Sequence, residues 1–247
     1  MLSLIDPVTL LLASLIIFTG ALTQSLIGFG LAVVATPLLY IVDPELVPAP
    51  VIAMGFSIAL LTLIRERGHL EFNGLQYALL GRLPGGLIGA TLLLLAPQPI
   101  MGLTIALIVA VAVFLSLRKY SIKINRLSLF IAGIFSGIFG TVAAIGGPPM
   151  ALLLAGKDAS QFRAALSAFF IFSSLIALII LGCFGLLTLR HLWLSLLLLP
   201  AVFLGFLLAG RLVGRVDKEK TQVLTLALCA LSALLLTIKS SLALING

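Results

Sequence analysis

The chain has 247 residues, of which 62% are apolar and 9% carry a formal charge, with a mean hydropathy of +1.31. That balance excludes a water-soluble globule and points to an integral membrane protein. The net charge of +7 does not indicate nucleic acid, because the basic residues sit in short loops between apolar runs and form no stripe on a soluble face.

The first apolar run, Val8 to Ile27, is long enough to span a bilayer, lacks a basic start and follows Asp6, so it reads as a retained span and not a signal peptide. It ends in a break, Gln24, Ser25, Leu26, Ile27, Gly28, Phe29, Gly30, followed by the apolar stretch Leu31 to Val42 with Pro37 inside it. Spans are expected over Val47 to Ile64, Leu75 to Ala96 and Ile100 to Leu117. The second half starts again with Leu127 to Ile145 and breaks at Thr141 to Pro149, through Gly146, Gly147 and Pro148. The piece Pro148 to Gly156 would make only about 14 Å of helix against roughly 30 Å of hydrocarbon, so it is a half-helix. Ala164 to Leu181, Leu192 to Gly210 and Val223 to Ile238 complete the set. None of these runs alternates as a barrel strand does.

The basic loops choose between topologies. They cluster at Arg65 and Arg67; at Arg118, Lys119, Lys123 and Arg126; at Lys157 and Arg163; and at Arg211, Arg215, Lys218 and Lys220. All four reach the cytoplasm only if the chain turns back at both breaks. Asp43 to Pro50 and both termini then face outward. Re-entry at the first break is favoured over a single kinked span.

Laying the sequence on itself at an offset of 116 pairs Gly30 with Gly146, Ser57 with Ser173, Tyr77 with Trp193, Pro84 with Pro200 and Gly89 with Gly205. The fold class expected is therefore all-α and polytopic, with two inverted repeats, residues 1–118 and 119–247, in one membrane domain. Each repeat is a broken or re-entrant hairpin followed by three membrane helices.

Glycine and proline at membrane depth survive where protein or a water-filled cavity satisfies the freed backbone. Half-helices starting at Gly30 and Gly147 would aim amide groups and positive dipole ends at the membrane middle, with Pro148 harmless in a first turn. The other reading of these glycines is close helix packing. Arg82 is the one formal charge well inside a span. The eight carboxylates, Glu66 among them, fall in loops or at termini. A buried guanidinium without a carboxylate suits a bound oxyanion; the alternative is a structural plug on helix carbonyls. Arg163 either draws anions in or anchors a helix end. Gln24, Ser25, Ser136 and Thr141 lie near the breaks and can donate to oxyanion oxygens.

The substrate-binding set expected is Gln24, Ser25, Gly28, Phe29, Gly30, Arg82, Thr141, Gly146, Gly147, Pro148 and Arg163. His69 and His191 stand at loop edges, so no intramembrane proton relay is read. Cys183 and Cys229 read as apolar packing residues.

The break after the first run, Gly146 to Met150, the Phe162, Arg163, Ala164 segment, and the spans Pro84 to Gly89 and Pro200 to Gly205 together resemble the TauE/SafE family of sulfite exporters. The resemblance covers about residues 8 to 240. It implies a bacterial inner-membrane carrier that exports a small anion such as sulfite or an organosulfonate. Leu31 after Gly30 and Ala143, Ala144 before Gly146 depart from the family's glycine-richest pattern. An anion channel and a non-transporting scaffold remain as alternatives. No catalytic constellation, cofactor or metal is expected. The partners are the anion and the lipid bilayer, with a homodimer left open.

Overall fold

The computed structural model describes residues 5–70, 74–117, 124–212 and 218–245. Arg118, Lys119, Lys123, Arg215, Glu71, Asn73, Asp217 and the side chains of Lys218, Glu219 and Lys220, on which parts of the topology reading rest, lie outside the described positions. Among the described residues ten α-helices follow in order: α1 (Pro7–Ile27), α2 (Leu31–Val42), α3 (Ala49–Glu66), α4 (Leu75–Leu95), α5 (Gln98–Leu117), α6 (Arg126–Ala143), α7 (Gly147–Leu154), α8 (Ala159–Cys183), α9 (Leu189–Leu212) and α10 (Lys218–Ile245). No strand occurs among the described residues. Among the described residues eight helices are long and apolar enough to cross a bilayer; α2 and α7 are not.

Both breaks are reversals. In the first, Gly28 at φ 108° closes α1 by donating its N–H to the Gln24 carbonyl, and Gly30 at φ 128° opens α2; these are left-handed backbone angles that glycine adopts freely. A Cβ placed on Gly20 would lie 2.9 Å from the Leu31 carbonyl oxygen. Eleven residues along a continuous helix would separate these positions by about 16 Å, so α2 folds back along α1. In the second break α6 ends at Ala144, φ 59°, and the Ile145 amide reaches the Phe139 carbonyl at 3.1 Å. Ser136 Oγ then donates to the Gly146 carbonyl at 2.7 Å and holds the returning chain against α6.

Ion pairs mark the two ends of the bundle. Arg163 at the start of α8 meets Glu66 at the end of α3 at 2.8 Å. At the other end Arg190 of α9 meets Glu45 of the α2–α3 connection at 2.6 Å, and Tyr40 of α2 donates to the Gln98 carbonyl of α5 at 2.7 Å. Arg65, Arg67 and Lys157 therefore share an end, away from Asp43 and Glu45. Two sequence expectations need correction here. Glu66 is no loop residue: it closes α3 and is 6% exposed, because two arginines stabilise its charge. Cys183 is exposed, while Cys229 is buried in the apolar core.

Packing pairs α4 with α6, α1 with α9, α3 with α8 and α5 with α10. The closest of these is α4 on α6. Gly81 and Gly85 face Gly133 and Gly137 so tightly that the Gly85 backbone lies within 3 Å of where a Gly137 Cβ would stand. Without a hydrophobic drive between helices in lipid, such small-residue contact is what brings backbones together. It also sets the depth at which Arg82, next to Gly81, meets α6.

Candidate functional site

The two breaks touch. A Cβ on Gly147 would lie 3.2 Å from Phe29 Cβ and 3.1 Å from the ring of Phe170. Beside this meeting point is a cavity of about 40 Å³, against the roughly 10–15 Å³ that one water needs. The sequence-predicted residues Gln24, Phe29, Gly30, Arg82, Gly146 and Gly147 all line it, joined by Ser173 and Ser174 of α8.

Arg82 is 2% exposed. Its Nε donates to the Ser173 carbonyl at 3.1 Å and its Nη1 to the Ser136 carbonyl, with Ser136 Oγ at 3.4 Å. A guanidinium carries five donors, and Nη2 has no partner among the described residues while the side chain borders the cavity. The charge is thus fastened by main-chain carbonyls of α6 and α8, which leave one edge of the fork without a partner among the described residues. The partners found are the helix carbonyls that the plug reading of Arg82 expects. Gly140 makes room for it: a Cβ there would stand 2.7 Å from Nη2.

Gln24 accepts from the Leu31 amide at 3.2 Å through Oε1, which caps the start of α2, and the residue lines the cavity. The next amides, of Ala32 and Val33, have no carbonyl four residues back within α2, and both residues line the cavity. The start of α7 differs from the sequence expectation in its donors. Pro148 and Pro149 occupy its first turn and bring no N–H, so this end supplies the Gly147 amide and the helix dipole only.

The remaining predicted residues lie elsewhere. Ser25 is buried against Arg65, accepting from Nη1 at 3.0 Å through Oγ and from Nη2 at 2.8 Å through its carbonyl. Gly28 packs on Arg163 and Phe162. Pro148 is buried in α7. Thr141 is buried where α6 meets Gly86 and Gly89 of α4, with its hydroxyl unpartnered. Arg163 pairs with Glu66 and donates to Ser160 Oγ at 3.1 Å. Sequence reasoning passed over Ser173 and Ser174 as binding residues. The repeat alignment of Ser173 with Ser57 was the one signal that touched them.

The lining therefore offers a guanidinium edge, an amide side chain, hydroxyls and helix-start amides, with no carboxylate among its residues. A family model described as Sulfite exporter TauE/SafE matches residues 12–236. The chain belongs to the TauE/SafE family. No curated protein and no solved structure matches it. Membership makes it a multi-pass membrane protein of the sulfite-exporter type, from a family of transporters and not of enzymes.

For a TauE/SafE protein built in this way, Gln24 caps α2 and lines the cavity, and its replacement separates its polar groups from its bulk. Gln24→Leu keeps the volume but orphans the Leu31 amide and removes both amide donors from a cavity-lining residue. Anion affinity is expected to fall about ten-fold, the effect of one lost hydrogen bond to a charged ligand. The half-saturation concentration of transport measures it.

Proposed function

We propose that this cavity binds a small oxyanion and that the protein is a secondary transporter exporting it, with sulfite or an organosulfonate as the substrate. The observation that carries the reading is Arg82: a buried cation that lines the cavity, whose partners among the described residues are all uncharged and whose Nη2 has none there. A sulfonate or sulfite presents oxygens at the spacing of that fork. The start of α2 adds donors and a dipole of the same sign.

The orientation follows from charge. The end bearing Arg65, Arg67, Lys157 and Arg163 is cytoplasmic, in a bacterial inner membrane, and both termini face outward. An anion leaving the cell then moves down an inside-negative potential, worth about 2.3 kcal/mol per charge per 100 mV. An inverted repeat accounts for the packing: exchanging each helix for its counterpart turns α4 on α6 into α9 on α1, α3 on α9 into α8 on α4, and α2 on α10 into α7 on α5. A cavity at the paired breaks favours transport over a scaffold role.

The test is flux in proteoliposomes at set potential, with sulfite, sulfoacetate, sulfate, thiosulfate and a carboxylate. Saturable, potential-driven movement of a sulfur oxyanion, with counterflow, is the expected result. Failure of every sulfur oxyanion to move would overturn the reading, and unsaturable flux without counterflow would make the protein a channel.

A further inference from the structure

The geometry points to a second oxyanion site, at the cytoplasmic end of the path, that the Glu66 carboxylate now occupies and that the transported anion takes over in passing. This rests on the transport reading above but on different residues.

Two guanidinia share one carboxylate there. Glu66 Oε1 accepts from Arg163 Nε at 2.8 Å and from Arg65 Nε at 3.3 Å. Among the described residues the cluster sums to one positive charge, although Glu66 and Arg163 are 6% and 8% exposed. Its donors are also incompletely used. Arg65 spends Nη1 and Nη2 on Ser25, and Arg163 spends Nη2 on Ser160, while Arg163 Nη1 has no partner among the described residues. Glu66 bridges the two arginines through a single oxygen and fills neither fork. An anion with three oxygens can take both Nε positions and Nη1 together.

The position suits a way station. A Cβ on Gly28 would lie 3.1 Å from Arg163 Cγ and 3.2 Å from the Phe162 ring, so the first break rests directly on the cluster. Its next residue, Phe29, lines the central cavity and packs edge-on against Phe162 with ring centroids 6.4 Å apart. One aromatic layer thus separates the cluster from the cavity. The cluster also joins α1 through Ser25, α3 through Arg65 and Glu66, and α8 through Ser160 and Arg163. When an oxyanion replaces Glu66, the ion pair that ties α3 to α8 at this end is released and the layer behind it is free to part.

Binding stoichiometry tests the proposal. Radiolabelled sulfite is titrated onto purified protein in lipid nanodiscs, for the wild type, Glu66→Gln, Arg82→Gln and the two combined. In Glu66→Gln the neutral amide no longer competes, and sulfite bound at saturation is expected to double. The added site survives in the combined variant and disappears in Glu66→Gln with Arg163→Gln. Glu66→Asp keeps the charge, is one methylene too short to bridge, and shows the same added site with weaker affinity; it serves where the Gln variant is not monodisperse. Equal saturation in the wild type and both Glu66 variants would overturn the proposal. Sulfite binding left unchanged by Arg82→Gln, with the added site still appearing in Glu66→Gln, would instead count against the central site and leave this proposal standing.

Discussion

Replacing Arg82 with glutamine is expected to reduce anion affinity roughly ten- to hundred-fold, the value of the one or two charge-assisted hydrogen bonds lost, and to reduce transport accordingly while the protein still inserts and folds. The distinction between function and fold is physical. The Ser136 and Ser173 carbonyls that hold Arg82 belong to the interiors of α6 and α8, where each already accepts an amide from the next turn. Losing the guanidinium leaves them with one partner instead of two, a small cost, and also removes a buried charge. An anion bound as proposed would lose a partner that nothing else in the cavity replaces, since the remaining donors are neutral. Arg82→Lys retains the charge but offers a point and not a fork, and should fall between the two. Monodisperse elution with normal expression, alongside a raised half-saturation concentration in proteoliposomes, is the pattern expected. Wild-type kinetics in Arg82→Gln would remove the residue from the site.

Much of this architecture can be read from residue types. Leu31 to Val42 coincides with α2, and Leu75 to Ala96 differs from α4 by one residue, because glycine and proline mark where apolar helices stop. The meeting of the breaks follows from the same punctuation: backbone freed inside a membrane must be satisfied by something, and the second break was the nearest candidate. The fate of the charges is harder to read. Glu66 stands among Arg65 and Arg67 like an ordinary loop residue, and its burial depends on Arg163, ninety-seven positions away. Arg82's partners are helix carbonyls, which every residue possesses, so no side-chain pattern announces them. Ser173 and Ser174 join the site through the direction they face on α8, which an all-round apolar helix hides from periodicity.

The glycines of α4 and α6 carry the second large prediction. A Cβ on Gly85 would overlap the Ile134 carbonyl oxygen and lie 2.9 Å from its carbon and 3.0 Å from Gly137 Cα, all of them backbone atoms that cannot swing aside. Gly85→Ala must therefore push the two helices apart along their closest line. Overpacking of this kind costs about 1–3 kcal/mol, set against a helix-propensity gain of about 1 kcal/mol for replacing glycine. Gly182→Ala is the matching control, since it meets nothing within 4 Å and takes only the gain. Thermal unfolding in detergent should show Gly85→Ala several degrees below the wild type and Gly182→Ala at or above it. Gly81→Ala combined with Gly85→Ala should fail to give a monodisperse protein. Transport adds a readout that stability alone would not move. Arg82 stands between Gly81 and Gly85, and it reaches the Ser136 carbonyl across the seam that Gly133 and Gly137 keep thin. Spreading the seam by even half an ångström lengthens that bond and swings the Nη2 edge within the cavity. Gly85→Ala protein that stays folded below its transition is accordingly expected to bind the anion more weakly than wild type. Unchanged affinity there would mean that Arg82 is held by α8 alone and that the glycine seam serves only the fold.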